Sequence, residues 1–191
     1  MLILSFAEGA FRRKGGFGIG GVALIGKSVA DRGHDAVVVM GGPVNPGCEA
    51  FLRSDVESIL AQEQQGGRGR FGVVSFPAWE TWAFAPSMLW RLRRIVRRTD
   101  VVTLHSLYSF PVLAGYFLAR FFGKPYVLWP HGVLAPIQRR IGRRKKALYD
   151  WLIGRRILNG AAALVFTSLG EARQTDDLPL KPPPVLIRHG F

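Results

Sequence analysis

Residues 101–129 read VVTLHSLYSFPVLAGYFLARFFGKPYVLW, and they indicate the architecture of the whole chain. Residues 101–105 and 125–129 are short apolar runs of the strand type. Between them, residues 110–122 form a mostly apolar helix pattern that Gly123 is placed to cap. A strand, a helix and a second strand in this order predict two parallel strands joined by a crossover helix.

The same alternation extends outward in both directions. Further strands are predicted at residues 2–6, 35–40, 71–76, 163–167 and 184–187. Further helices are predicted at residues 17–32, 54–64, 87–98 and 141–159. We therefore expect an α/β fold of the doubly wound, Rossmann-like class, with about seven strands in a mostly parallel sheet.

Charge is unevenly distributed along these 191 residues, which carry a net charge of +13. Residues 91–98 hold five Arg, and residues 139–156 hold eight Arg or Lys, so an anionic partner is expected. We interpret the second stretch as a helix with Leu148, Trp151 and Leu152 turned inward and a solvated basic face. The alternative is an interfacial element on an anionic membrane surface. Nucleic acid is disfavoured, because no recognised binding motif is present.

The expected compartment follows from the single cysteine. Cys48 cannot form an intrachain disulfide, so a reducing compartment is the default. The longest apolar stretch, residues 107–122, is shorter than the roughly 18 residues that span a bilayer. We expect a cytoplasmic protein, at the inner face of the membrane if the basic segments bind lipid.

Two histidines directly follow predicted strands, where ligands bind in doubly wound folds. His131 stands in Trp-Pro-His-Gly after the strand at 125–129, and His105 precedes Ser106 at the end of the strand at 101–105. Each could donate to a sugar hydroxyl or a phosphate, or simply cap a strand end. The histidines are too scattered for a metal site, and no Cys/His spacing suggests zinc.

Two further candidates have competing explanations. Gly15 and Gly16 precede a helix, where glycines let backbone N–H groups approach a phosphate or let the helix pack closely on the sheet. A dinucleotide site is disfavoured, because Met40 and Gly41 stand where the ribose-binding acid belongs. Glu171 follows Ser168 by three residues, so a capping box is favoured over a catalytic role.

Taken in order along the chain, these motifs resemble the N-terminal domain of a retaining glycosyltransferase of the GT-B fold, family 4. The resemblance covers nearly the whole sequence. It rests on Gly15-Gly16, on the segment from Ala30 to Asp35 before a valine strand, on residues 100–106, on residues 123–127 leading into His131-Gly132, and on residues 163–168 with Glu171.

The resemblance implies transfer of a sugar from a nucleotide-sugar to an acceptor, with retention and with no required metal or other cofactor. His131 would contact the transferred sugar as the catalytic residue. Gly15 and Gly16 would approach the donor diphosphate, and we assign His105, Ser106 and Glu171 to substrate binding. The basic helices would suit a glycan or lipid-linked acceptor, as in polysaccharide biosynthesis.

Such enzymes have two halves, and residues 1–191 correspond to the acceptor-side half. We expect the C-terminal nucleotide-sugar-binding domain to be absent from this sequence and the chain alone to be inactive. The alternative is a non-catalytic, membrane-associated subunit that recruits a separate catalytic half.

Overall fold

The computed structural model describes residues 1–9, 20–43, 49–64 and 67–188. One sheet of seven parallel strands runs through this part of the chain. The strands are β1 (Leu2–Glu8), β2 (Asp35–Gly41), β3 (Phe71–Phe76), β4 (Val101–His105), β5 (Tyr126–Trp129), β6 (Ala163–Phe166) and β7 (Pro184–Leu186). The predicted class and strand number are confirmed.

Helices connect successive strands. They are α1 (Gly20–Ala30), α2 (Val56–Leu60), α3 (Ser87–Arg91), α4 (Arg93–Arg98), α5 (Phe110–Phe121), α6 (Pro136–Arg140), α7 (Arg143–Tyr149), α8 (Arg155–Asn159) and α9 (Leu169–Arg173). The predicted helix at 87–98 is divided at Leu92 into α3 and α4. No helix in the described ranges is both long and apolar enough to cross a membrane.

The strand order is β3-β2-β1-β4-β5-β6-β7. The chain winds from the interior strand β1 out to β3, then returns to β4 on the other side of β1. Ser5 of β1 lies opposite Thr103 of β4 in the register. The order therefore reverses between β1 and β4, and the carboxyl ends of these two strands form the crevice where doubly wound folds bind ligands.

The core lies between the sheet and α5. Leu4, Phe6, Leu104 and Leu128 are fully buried, as expected of parallel strands covered on both faces. A Cβ added at Gly115 of α5 would come within 2.7 Å of side-chain atoms of Phe6 and Leu104. Glycine thus lets α5 approach β1 and β4 closely, and this packing fixes the strand pair that carries the crevice.

The predicted orientation of the basic helix is wrong. The helix expected at 141–159 is α7 and α8 joined by a π turn at Asp150–Gly154. The side chains of Leu148, Trp151 and Leu152 are exposed to 56%, 73% and 52%. A π turn holds one more residue than an α turn. It therefore offsets the apolar face, and the neighbouring residues Tyr149, Ile153, Ile157 and Leu158 contact the core instead.

Candidate functional site

The carboxyl edge of the sheet brings together two histidines that are 26 residues apart in sequence. His105 ends β4 and His131 follows β5, and these strands are neighbours. Their rings are hydrogen-bonded, with 2.9 Å between His105 Nδ1 and His131 Nε2. The rings lie nearly parallel at 16°, and the indole of Trp129 stacks within 6.0 Å of both centroids. The two separate candidates from the sequence therefore form one pair.

The pair is anchored to the sheet by a chain of hydroxyl groups. His105 Nε2 lies 3.3 Å from Thr103 Oγ1, and the Thr103 hydroxyl donates to Ser5 Oγ at 2.6 Å. Because a hydroxyl has one proton, a Thr103 that donates to Ser5 accepts from His105 Nε2–H. The Nδ1 of a neutral His105 then accepts from His131 Nε2–H, which leaves Nδ1 as the acceptor nitrogen of a neutral His131.

The two histidines differ in access to solvent. His105 is only 2% exposed, whereas His131 is half-buried. His131 is therefore the more accessible of the two. The assignment of His105 to direct substrate contact stays a prediction.

Two of the four described non-glycine residues with positive φ lie at the same place. Ser106 has φ +78° and His131 has φ +51°, both in the left-handed region that residues other than glycine rarely adopt. Such conformations cost about 1–3 kcal/mol each and persist where the surroundings enforce them. Here the Ser106 N–H donates to the carbonyl of Trp129 at 2.8 Å, so the bend after β4 is tied to the end of β5. The Ser106 side chain is half-buried at this bend, and its predicted substrate contact stays a prediction.

Glu171 joins the loop after β5 to the loop after β6. Its carboxylate accepts from the Gly132 N–H at 2.7 Å and from the Thr167 N–H and Oγ1 at 2.8 and 2.9 Å. Ser168 caps α9 by accepting from the Glu171 N–H at 3.1 Å, which is half of the predicted capping box. The Glu171 side chain does not complete the box but holds the residue next to His131. Its substrate contact stays a prediction.

Gly15 and Gly16 are outside the described residues, as is Cys48. His34 precedes β2 at the opposite, amino-terminal edge. Within the described part of the chain, no group of three or more His, Cys, Asp or Glu side chains could hold a metal ion. The sequence reasoning missed Ser5 and Thr103, because neither stands at a strand end.

A seven-stranded parallel sheet with this strand order defines a Rossmann-like domain. The model of the glycosyl transferase 4-like domain matches residues 21–189, so the chain belongs to that family. This confirms the resemblance to family 4 glycosyltransferases of the GT-B fold. No curated protein matches the chain.

Solved structures share the fold at low sequence identity. The chain is similar to Anabaena Alr3699/HepE crystallised with UDP-glucose, with a TM-score of 0.59 and 15% identity over 100% of this chain. It is also similar to the same protein with UDP and glucose, with a TM-score of 0.58 and 17% identity. The chain spans 44% and 45% of those chains, so it corresponds in extent to a single half of the two-domain fold.

Proposed function

We propose that the chain is the acceptor side of a glycosyltransferase that moves a sugar from a nucleotide-sugar to a glycan or lipid-linked acceptor, with retention. The observation that carries this proposal is the His105–His131 pair at the edge where the strand order reverses. In this proposal a second domain supplies the nucleotide-binding wall of the cleft. Gly15 and Gly16 face the donor diphosphate across it.

The chemistry assigned to the site is positioning and charge stabilisation. His131 holds a hydroxyl of the transferred sugar, and the Thr103–His105 chain fixes the orientation of its ring. Glu171 and the strained bend at His131 keep the ring in place before the sugar arrives, so little reorganisation accompanies the reaction. The charge that develops on the departing nucleoside diphosphate is stabilised by backbone N–H groups and by basic side chains.

A test of the donor starts from UDP-glucose, because HepE was crystallised with it. We expect the natural protein that carries this chain to release UDP from UDP-glucose when an acceptor is added. The 191-residue chain alone should bind UDP-glucose no more tightly than about 1 mM in calorimetry, since in this proposal a second domain supplies the other wall of the cleft. If no nucleoside diphosphate is released from any nucleotide-sugar, the chain is not part of a transferase. Tight binding by the chain alone contradicts the division into two halves.

A second candidate, a membrane-associated subunit without its own catalysis, is favoured by one observation. Leu148, Trp151 and Leu152 are exposed beside the cations of α7 and α8, which is the composition of an interfacial helix. The proposed occupant of this face is an anionic bilayer, because the flanking side chains are basic. The same face would also bring a transferase close to a lipid-linked acceptor.

Vesicle flotation tests the membrane face. The chain should float with phosphatidylglycerol vesicles at low salt, and Trp151→Ser with Leu152→Ser should reduce the floating fraction. Phe121→Ser is the control, since Phe121 is an 80% exposed aromatic side chain at the end of α5 and belongs to neither α7 nor α8. Equal loss in both variants, or no flotation of the unmodified chain, contradicts membrane binding through this face.

A further inference from the structure

A second concave site lies beside the histidine pair. A cleft of about 450 Å³ opens between the loop after β4 and the helices α6 and α7. It is lined by the cations Arg139, Arg140, Arg143 and Lys146. Its volume falls in the range of small-molecule sites.

The cleft belongs to the carboxyl edge of the sheet. Tyr108, on its wall, is three residues beyond the end of β4, and α6 begins five residues after His131. The Tyr149 hydroxyl of α7 donates to the carbonyl of Leu107 at 3.0 Å, so α7 is fastened to the loop that follows His105. A ligand in the cleft would therefore lie next to the histidine pair and not at a remote surface.

The cations of the cleft exceed its carboxylates. Four basic side chains face two acids, Asp150 and Asp177, which leaves two positive charges when both acids are ionised. Arg139 Nη2 contacts both oxygens of Asp177 at 2.8 and 2.6 Å. Among the residues that the structure describes, neither Arg140 nor Arg143 pairs with a carboxylate.

Donors on the wall are only partly used. Asp177 accepts from Nη2 of the Arg139 guanidinium, and the buried Nε of Arg139 has no hydrogen-bond acceptor in the described structure. Asp150 Oδ1, which lies on the same wall, is also buried without a partner, so the wall holds one unsatisfied donor and one unsatisfied acceptor among the described residues. Lys146 Nζ donates to the Gln138 carbonyl and lies 4.8 Å from the Tyr108 ring centroid, and burial lowers its pKa. An ammonium group has three donors, so Lys146 can serve a ligand as well.

These features select a phosphate group. A phosphate monoester carries about −1.5 to −2 charge at pH 7 and offers three strong acceptor oxygens, which matches the two unbalanced cations. Arginine forks recognise phosphate oxygens in pairs. A single carboxylate would leave one cation unmatched.

We propose that this cleft binds a phosphate group of the acceptor. Arg140, Arg143 and Lys146 hold the phosphate, together with the part of the Arg139 guanidinium that does not contact Asp177. The proposal rests on the acceptor-side role given above and narrows the acceptor to a phosphorylated compound. A soluble sugar phosphate and a lipid-linked phosphate share this chemistry.

Calorimetry with inorganic diphosphate tests the cleft without any transfer reaction, so its outcome is independent of the glycosyltransferase assay. We expect binding by the unmodified chain and at least about tenfold weaker binding in the double variant Arg140→Gln, Arg143→Gln, because two charge-assisted contacts are lost. Both side chains are exposed, so the fold should survive. The matched control is Arg94→Gln, Arg97→Gln on α4, which removes the same charge from an exposed face outside the cleft.

A second variant is expected to strengthen diphosphate binding rather than weaken it. Asp177→Asn frees Arg139 from its partner and should tighten diphosphate binding. Asp177 is 59% exposed, so the substitution should be tolerated by the fold. Equal weakening in the two double variants, or no tightening in Asp177→Asn, overturns the cleft in favour of nonspecific attraction to a basic protein.

Vesicles distinguish the two sources of the phosphate. Phosphatidylcholine vesicles containing phosphatidic acid present a lipid phosphate monoester, and flotation is compared between the Arg140/Arg143 and Arg94/Arg97 double variants. A loss confined to the first variant supports a lipid-linked phosphate. Diphosphate binding with no such difference in flotation supports a soluble phosphate ester. The flotation result is interpreted only when diphosphate binding distinguishes the two double variants, because equal weakening there already overturns the proposal.

Discussion

The two edges of the sheet are built in different ways. At the amino-terminal edge, Asp35 accepts from Arg70 Nη2 at 2.7 Å, from Arg70 Nε at 3.1 Å and from the Arg70 backbone N–H at 2.8 Å. At the carboxyl edge, Ser106 and His131 have strained backbones, and the nearby cleft has unmatched cations. The Asp35 carboxylate is paired where the strands begin, whereas Arg140 and Arg143 of the cleft, where the strands end, have no carboxylate partner among the described residues. We infer that the first edge contributes stability and the second contributes binding.

Asp35→Asn gives the largest expected change at the amino-terminal edge. The hydrogen bonds from Arg70 lower the pKa of Asp35 from 3.8 to about 2. The carboxylate thus contributes about 2 kcal/mol to the free energy of unfolding at neutral pH. Because the folded-state pKa is the lower one, this contribution is complete above about pH 4 and is lost as the pH falls through about 2.

Urea unfolding of the unmodified protein and of Asp35→Asn, repeated across this pH range, measures the difference in the free energy of unfolding. The matched control is Asp31→Asn, which removes an exposed carboxylate 3.0 Å from Lys27 and should change stability much less. Transferase activity should be kept in both variants. A stability difference that is independent of pH would break the comparison, because Asp35 would then act through packing.

Thr103→Val is expected to have a smaller effect, and the effect should be mainly on activity rather than on stability. The substitution keeps the shape but removes the hydroxyl that links Ser5 to His105. We expect turnover to fall by up to about tenfold and the pH profile of kcat/KM to shift, because His105 loses the partner that fixes its tautomer.

Thr99→Val is the control for this substitution. Thr99 is buried at the amino-terminal edge, where its Oγ1 donates to the Ile95 carbonyl at 2.9 Å. It should lose stability to a similar extent while its pH profile stays unchanged. An unchanged pH profile in Thr103→Val would show that the hydroxyl chain is only structural.

Much of the fold could be predicted from local patterns. The strands Phe71–Phe76 and Val101–His105 begin and end as predicted, because short apolar runs bounded by polar or turn residues leave little choice. The orientation of Trp151 could not be predicted, because a π turn depends on tertiary packing and shifts the helical periodicity by one residue. The break between α3 and α4 could not be predicted either, because residues 87–98 contain no glycine or proline near Leu92.

Local patterns showed that His105 and His131 stand at strand ends, but they did not show how these side chains are arranged. His105 and His131 were found because each follows a strand, yet their contact depends on β4 and β5 being neighbours. Side chains alternate between the two faces of a strand, so the sequence predicts that Thr103 and His105 share a face. The contact between Thr103 and Ser5 could not be predicted, because it depends on the register of β1 and β4. Glu171 was found as a capping residue, and its bond to Gly132 bridges 39 residues that no local pattern connects.

The most direct test of the account compares His131→Ala with His34→Ala in the natural protein that carries this chain. The two variants remove the same side chain from opposite edges of the sheet. UDP release from UDP-glucose should fall by about 100-fold or more in His131→Ala, because the contact assigned to the transferred sugar is lost, and should be unchanged in His34→Ala. Equal activity in the two variants would contradict the claim that the carboxyl edge carries the chemistry.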